Sequence, residues 1–214
     1  MNYTSLVTDI QAWTQRGNAT ADATVTAQIP RIINRAEITL ARRLKIPGFQ
    51  STVTSTMTAS SSGVVAKPAD WLDTISMNFG TGTSYLTRKP LLPRSYEYSL
   101  VYWPNRTTYD EPEYYADYDE EHWLLFPSPN LAYPFEVLYH ATPKLLDSSN
   151  QTNYLTEEVP DLLLYECLVA AGPFCGWNAD KRASIKELRD DAQSAVSMQD
   201  LLRIIDRGTK RRGS

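Results

Sequence analysis

Pro112–Leu146 reads PEYYADYDEEHWLLFPSPNLAYPFEVLYHATPKLL, and its period decides what the middle of the chain is. Tyr133, Phe135, Val137 and Tyr139 alternate with Pro134, Glu136, Leu138 and His140, the two-residue repeat of a strand with one packed face. Upstream, Glu121–Phe126 is a compact aromatic and aliphatic run. It is stopped by Pro127-Ser-Pro-Asn130, where two prolines donate no ladder hydrogen bonds and Asn130 suits a turn. Pro112–Tyr118 places Tyr114 and Tyr118 on one face and Tyr115 on the other. Three short strands in an antiparallel meander are the economical expectation.

Working outward, the texture on the N-terminal side is also β. Residues 50–62 are rich in Ser and Thr with Val53 and Met57 as sparse apolar points, the pattern of an edge strand and a loop. Val64-Val65 and then Ile75, Met77 and Phe79 predict two more strands around a turn at Lys67-Pro-Ala-Asp70. Gly80-Thr-Gly82 reads as a tight turn, because no Gly-Lys-Ser/Thr follows it as in a phosphate loop. Tyr85-Leu86 opens another strand. Ser95–Trp103 fits a short helix after Pro93 or a strand, and periodicity does not separate the two.

Both ends are helical. Leu6, Ile10 and Trp13 recur at helical spacing within residues 4–15, and Gly17-Asn18 breaks the pattern. Ala27–Leu44 carries Ile29, Ile32, Ile33, Ala36, Leu40 and Leu44 on one stripe. Pro30 is expected near the start of that helix, and Pro47-Gly48 ends it. After the polar Asp147–Asn153 the helical period returns at Leu155. Thr156 is the expected N-cap, and Glu157, Glu158 and Asp161 put negative charge at the positive helix end. Gly172-Pro173 stops this apolar helix. A last one spans about Asp180–Arg207 with Ile185, Leu188, Ala192, Ala195, Val196, Leu202 and Ile205 on its stripe.

The expected class is therefore α+β. The N- and C-terminal segments, 1–48 and 147–207, form the two halves of a helical bundle with an antiparallel β region, 49–146, inserted between them; 208–214 is a flexible basic tail. Two unrelated domains in series would strand a pair of helices at each end, and pairs bury little.

Composition narrows the function. The chain has 214 residues, 42% hydrophobic and 21% charged, enough for a core without staples. Thirteen of its aromatic residues are tyrosine. Tyrosine combines apolar area with a polar tip, which suits an interaction surface and also a β-rich domain. A net charge of −4 argues against a general nucleic-acid binder. Cys167 and Cys175 are the only cysteines; their spacing matches no zinc pattern, and a reducing compartment fits. The N-terminal segment lacks the basic and apolar regions of a signal peptide. The four Asn-x-Ser/Thr triplets, at Asn2, Asn18, Asn105 and Asn150, are then chance matches.

Catalytic signatures are missing from the sequence. His122 and His140 belong to no metal-ligating pattern, and no GxSxG, Walker loop or GxGxxG occurs. No cofactor is implied. The acidic residues lie in an exposed-type run rather than beside apolar neighbours that would raise a carboxyl pKa. That run, Asp110, Glu111, Glu113, Asp117, Asp119, Glu120 and Glu121, with Glu136 beyond it, has no Lys or Arg between Thr107 and Pro143. It reads as a solvated face, or as a surface that repels nucleic acid or meets a basic partner. At the other extreme, Arg203, Arg207, Lys210, Arg211 and Arg212 face a single acid in the last twelve residues. This end reads as solvated, or as a segment that orders on an acidic partner.

Taken in order, several segments resemble the head-to-tail adaptor, or connector, proteins of tailed bacteriophages, especially short-tailed ones. They are Ile29-Pro-Arg-Ile-Ile33 with Ala36-Glu37; Lys67-Pro-Ala-Asp-Trp-Leu72; Pro112-Glu-Tyr-Tyr115, Leu124-Leu-Phe-Pro-Ser-Pro129 and Glu136-Val-Leu-Tyr139; and Leu155-Thr156 with Pro160-Asp-Leu-Leu-Leu-Tyr165. Gly172-Pro-Phe-Cys-Gly-Trp177 departs from the unbroken Ala-rich helix usual there. The resemblance implies a non-enzymatic virion protein whose copies form a ring, dodecameric in expectation. The ring would sit under the portal protein, extend the DNA exit channel and carry the tail nozzle and fibres. Double-stranded DNA would pass through without sequence-specific binding. In that setting the acidic run is a candidate channel lining, and Arg203, Arg207, Lys210, Arg211 and Arg212 are a candidate portal-docking set. The alternative is a carbohydrate-binding or glycan-hydrolysing β module, suggested by the Tyr and Trp content.

Overall fold

The computed structural model describes residues 1–15, 22–44, 47–80 and 88–210, with side chains, Pro47 apart, through Gln199. The fold is α+β. In chain order the elements are α1 (Tyr3–Thr14), α2 (Ala23–Arg43), β1 (Gln50–Thr56), β2 (Val64–Ala66), β3 (Trp71–Gly80), β4 (Arg88–Pro93), α3 (Tyr96–Tyr102), β5 (Tyr109–Asp110), β6 (Tyr114–Asp117), β7 (His122–Phe126), β8 (Ser128–Pro129), β9 (Pro134–Ala141), α4 (Tyr154–Glu158), α5 (Pro160–Ala171) and α6 (Ala179–Lys210). They divide into two compact units, Met1–Phe49 with Thr142–Ser214, and Gln50–Ala141. The expected turn at Gly80–Gly82 runs from Gly80, the last residue of β3, into residues 81–87, which with the strand opening at Tyr85-Leu86 lie outside those described.

In the first unit Leu6 and Ile10 of α1, Ile29, Ile33 and Leu40 of α2, and Leu162, Leu163 and Cys167 of α5 share one core. Helix α5 touches α1, α2, α4 and α6, which is why its sequence leaves little polar surface. Two helix starts differ from expectation. Helix α2 begins at Ala23, capped by the Asp22 carboxylate on the Thr24 N–H at 2.8 Å, so Pro30 lies inside it. Burial of Ile29, Ile32 and Ile33 around the proline, each worth about 1.5–3 kcal/mol, outweighs its cost of about 3 kcal/mol. The cap expected at Thr156 is instead Asn153, with Thr156 as the third residue of a reciprocal capping box. One long helix becomes two here, because Pro160 holds Val159 out of helical geometry (φ −136°, ψ 50°) and itself starts α5. Helix α6 continues three residues past the expected end, through Gly208 to Lys210; propagating an established helix offsets the roughly 1 kcal/mol glycine penalty. Residues 211–214 lie outside those described.

The second unit is a curled seven-stranded sheet in the order β1-β9-β3-β4-β6-β7-β2, with a small β5-β8 pair. This corrects the meander and the all-antiparallel expectation. Strands β6 and β7 do pair antiparallel, but β9 inserts between β1 and β3, and β4 runs parallel to β6. Ser95–Trp103 is a helix: Ser95 caps α3, its hydroxyl accepting the Tyr98 N–H at 3.3 Å. A parallel β4–β6 pair needs a crossover, and α3 lies within it. Curling lets Val53 of β1 and Val65 of β2, near opposite edges, pack on one cluster of Met77, Phe79, Trp123, Leu125, Phe135 and Val137. The other face of β6 and β7, through Ala116, Leu124 and Phe126, packs on Tyr96, Tyr98 and Trp103.

Candidate functional site

The crossover brings together an aromatic platform. Tyr114 of β6 stacks on Phe126 of β7 at 5.7 Å. Trp103 lies 5.6 Å from both, and Tyr98 lies 5.9 Å from Tyr114. Tyr102 covers Tyr98 at 4.4 Å. The Arg94 guanidinium lies over Tyr98 and Tyr114 at 5.5 and 5.3 Å, and Arg106 over Tyr118 at 4.9 Å. Hydrogen bonding to Tyr118 is the main reason the Arg106 pKa is raised. Packing accounts for the inner half of α3 but not the outer half: Leu100, Val101 and Tyr102 are exposed, Val101 by 73% and Tyr102 by 62%. Three contiguous exposed apolar positions are more than a solvated helix face ordinarily carries. Sequence reasoning missed it because the segment fitted strand or helix equally.

The acidic residues are exposed, apart from the half-buried Glu111, but do not form one cluster. Asp110, Glu111 and Glu113 precede β6, whereas Asp117, Asp119, Glu120 and Glu121 follow or end it. Four residues of strand hold the two groups about 13 Å apart. Three carboxylates have partners distant in sequence or in the next strand. Lys89 pairs with Glu111; Lys67 lies 2.9 Å from Asp117; His122 Nδ1 lies 2.8 Å from an Asp119 oxygen. Burial would raise the Asp119 pKa, but the bond with His122 and the Glu121 N–H outweigh it and hold the carboxyl low. The Lys67 side chain is only 2% exposed; its ammonium sits 3.6 Å from the Trp71 ring and also donates to the Asp119 carbonyl at 2.9 Å. His122 and His140 are not brought together, since β7 and β9 are not neighbours. Among the described residues no three His, Cys, Asp or Glu side chains converge to hold a metal ion, and no helix is long and apolar enough to cross a membrane.

Arg203, Arg207 and Lys210 lie on the last turns of α6, and Arg211 and Arg212 fall outside the described residues. Three charged side chains of the helical unit, Glu37, Glu166 and Arg189, are buried. Glu166, buried on α5, accepts from Arg43 at 3.1 Å and Arg189 at 3.0 Å, tying α2, α5 and α6 together.

The described surface thus combines an exposed apolar stretch of α3 with separated charged patches, while Glu166 and Arg189 pair in the interior. The chain belongs to the SU10 adaptor protein family, whose model matches residues 1–214. It is a phage adaptor, a structural component of the virion that associates with other head and tail proteins. No curated protein matches it.

Proposed function

We propose that the chain is a head-to-tail adaptor of a short-tailed phage. Copies form a ring, dodecameric in our reading, that joins the portal to the tail nozzle and fibres and extends the DNA exit channel. The observation that carries this is the exposed apolar face of α3, Leu100, Val101 and Tyr102, on a chain of the adaptor family. Such a face is covered when copies or partners assemble. The Tyr-rich strands of the β unit supply interface area between neighbouring subunits.

The acidic surface then takes two roles. Asp110, Glu111 and Glu113 line the passage, where a wall of like charge lets DNA slide without basic contacts to its phosphates. The turn Asp117–Glu121 meets a basic partner. Arg203, Arg207, Lys210, Arg211 and Arg212 dock into an acidic part of the portal. The glycan-directed reading has weaker support, because Lys67 covers one face of Trp71 and Tyr98 covers one face of Tyr102.

Electron microscopy of the purified chain, alone and with the portal ring encoded by the same genome, tests the proposal. Rings stacked on the portal, with a countable symmetry, are expected. No association at any salt concentration overturns it. Replacing Lys210, Arg211 and Arg212 with Glu should abolish portal attachment with the fold intact; unchanged attachment discards the docking role.

A further inference from the structure

A cleft of about 250 Å³ opens in the first unit, lined by Gln28, Arg31, Ile32 and Arg35 of α2 and by Ala170 and Phe174. Arg31 and Arg35 are one turn apart, so they share a face. Among the described residues neither has a carboxylate at ion-pair distance, in contrast to Arg43 and Arg189 on Glu166. Beside them Phe174 is 49% exposed. Two free guanidiniums next to an aromatic ring suit paired carboxylates accompanied by apolar surface. A phosphate backbone would satisfy the charge and leave the ring in water.

The same chain carries that combination. In the turn between β6 and β7, Asp117 and Asp119 are held by Lys67 and His122. Glu120 and Glu121 are exposed with no ion pair among the described residues, and the partly exposed ring of Tyr118 stands beside them. The charge of the two units points the same way. Gln50–Ala141 holds eleven acids and five Lys or Arg, net −6; the other unit holds fourteen acids and sixteen Lys or Arg, net +2, which together give the chain's −4.

We propose that the Glu120–Glu121 turn of one copy docks in the Arg31–Arg35 cleft of the next, a head-to-tail contact between neighbouring subunits. Two different patches on one chain make a heterologous interface, and such an interface closes into a ring when its rotation permits. The contact rests on the ring reading above and names the surfaces that build it. Being largely ionic, it weakens as salt rises.

The test is a charge-swap cycle in the full-length chain: R31E/R35E, E120R/E121R, and all four substitutions together. Self-association is read by sedimentation velocity and by electron microscopy with and without the portal ring. Each pair alone should weaken association at least about tenfold, because one side of a close charge pair is left facing like charge. The fourfold variant should recover to within about threefold of the native chain. Native-like assembly by R31E/R35E overturns the contact, as does failure of the fourfold variant to recover while its melting temperature is unchanged. If the fourfold variant melts early, R31Q/R35Q decides: undiminished association overturns the proposal. Loss of duplex-DNA binding by R31E/R35E with assembly intact makes the cleft a phosphate site and also overturns it. A native chain that never associates with itself sinks the ring reading too, whereas assembly indifferent to every swap sinks only this contact.

Discussion

Glu37 is 0% exposed in the core of the helical unit, and among the described residues no cation lies at ion-pair distance from it. Its carboxylate accepts the Leu146 N–H at 3.0 Å and the Asn153 side-chain amide at 2.6 Å, so it pins the segment returning from β9 onto α2. Burial raises its pKa above the ordinary 4.5, and the bonds from Leu146 and Asn153 offset this only in part. The folded state therefore binds this proton more tightly than the unfolded chain. The stabilising balance is fully present below about pH 4.5 and is lost as pH rises through the folded pKa. Glu37→Gln separates hydrogen bonding from charge. A protonated carboxyl keeps lone pairs on both oxygens, but glutamine offers one acceptor and turns an NH2 towards the second donor. One buried donor then lacks a partner, at about 1–3 kcal/mol. Taking about 2 kcal/mol, a chain of this size should melt about 4–8 °C lower at pH 5. Because glutamine does not titrate, the gap should close as pH rises towards 8. Urea unfolding followed by far-ultraviolet circular dichroism from pH 4.5 to 8 measures it, and hydrogen exchange at the Leu146 amide reads the local loosening. A gap constant across that range would refute the role of the buried charge; a variant more stable than the native chain at pH 5 would refute the hydrogen-bond argument.

Arg189→Ala should cost about 3 kcal/mol in urea unfolding, because buried Glu166 keeps only the more exposed Arg43. Gly63→Ala should destabilise by about 2–4 kcal/mol: its φ is +75°, and a Cβ would lie 2.4 Å from the Leu125 carbonyl oxygen. Val101→Glu should change the melting temperature by no more than about 2 °C, as expected of an exposed site, yet abolish assembly on the portal in electron microscopy. In thiol labelling at pH 8, Cys175 should react slowly and Cys167 only on unfolding. Burial, with the charges of Glu37 and Glu166, holds the Cys167 thiol well above its ordinary pKa, whereas Cys175 is raised less and is partly accessible.

Much of the local structure was legible. Period-two alternation located β9, and the apolar stripes located α1, α2 and α6, because each pattern reports one packed face. Pairing was not legible. Alternation in Tyr133–Tyr139 says that one face is buried but not which strands flank it, so nothing local distinguishes a meander from insertion between β1 and β3. One signal was present and unused. Trp123–Phe126 is apolar at every position, the mark of a strand covered on both faces. Trp123 and Leu125 meet the sheet's inner core, and Leu124 and Phe126 meet the α3 side. Something had to cover that second face, and Ser95–Trp103 was the segment free to do it. The platform therefore follows from β7 even though α3 taken alone was ambiguous.

Charge shows the opposite relation between sequence and structure. Seven acids at 110–121 with no Lys or Arg among them suggest a continuous repelling wall. In space Lys67, Lys89 and His122 take up Asp117, Glu111 and Asp119, and β6 separates what remains. Asp110 and Glu113 stand at one end, Glu120 and Glu121 at the other. Two pairs about 13 Å apart exceed a Debye length of about 8 Å at physiological salt, so each acts locally rather than as one field. A single wall facing DNA would need all seven free. Two separate pairs can serve two surfaces, as the proposed passage lining and the proposed contact with a neighbour's Arg31 and Arg35 require.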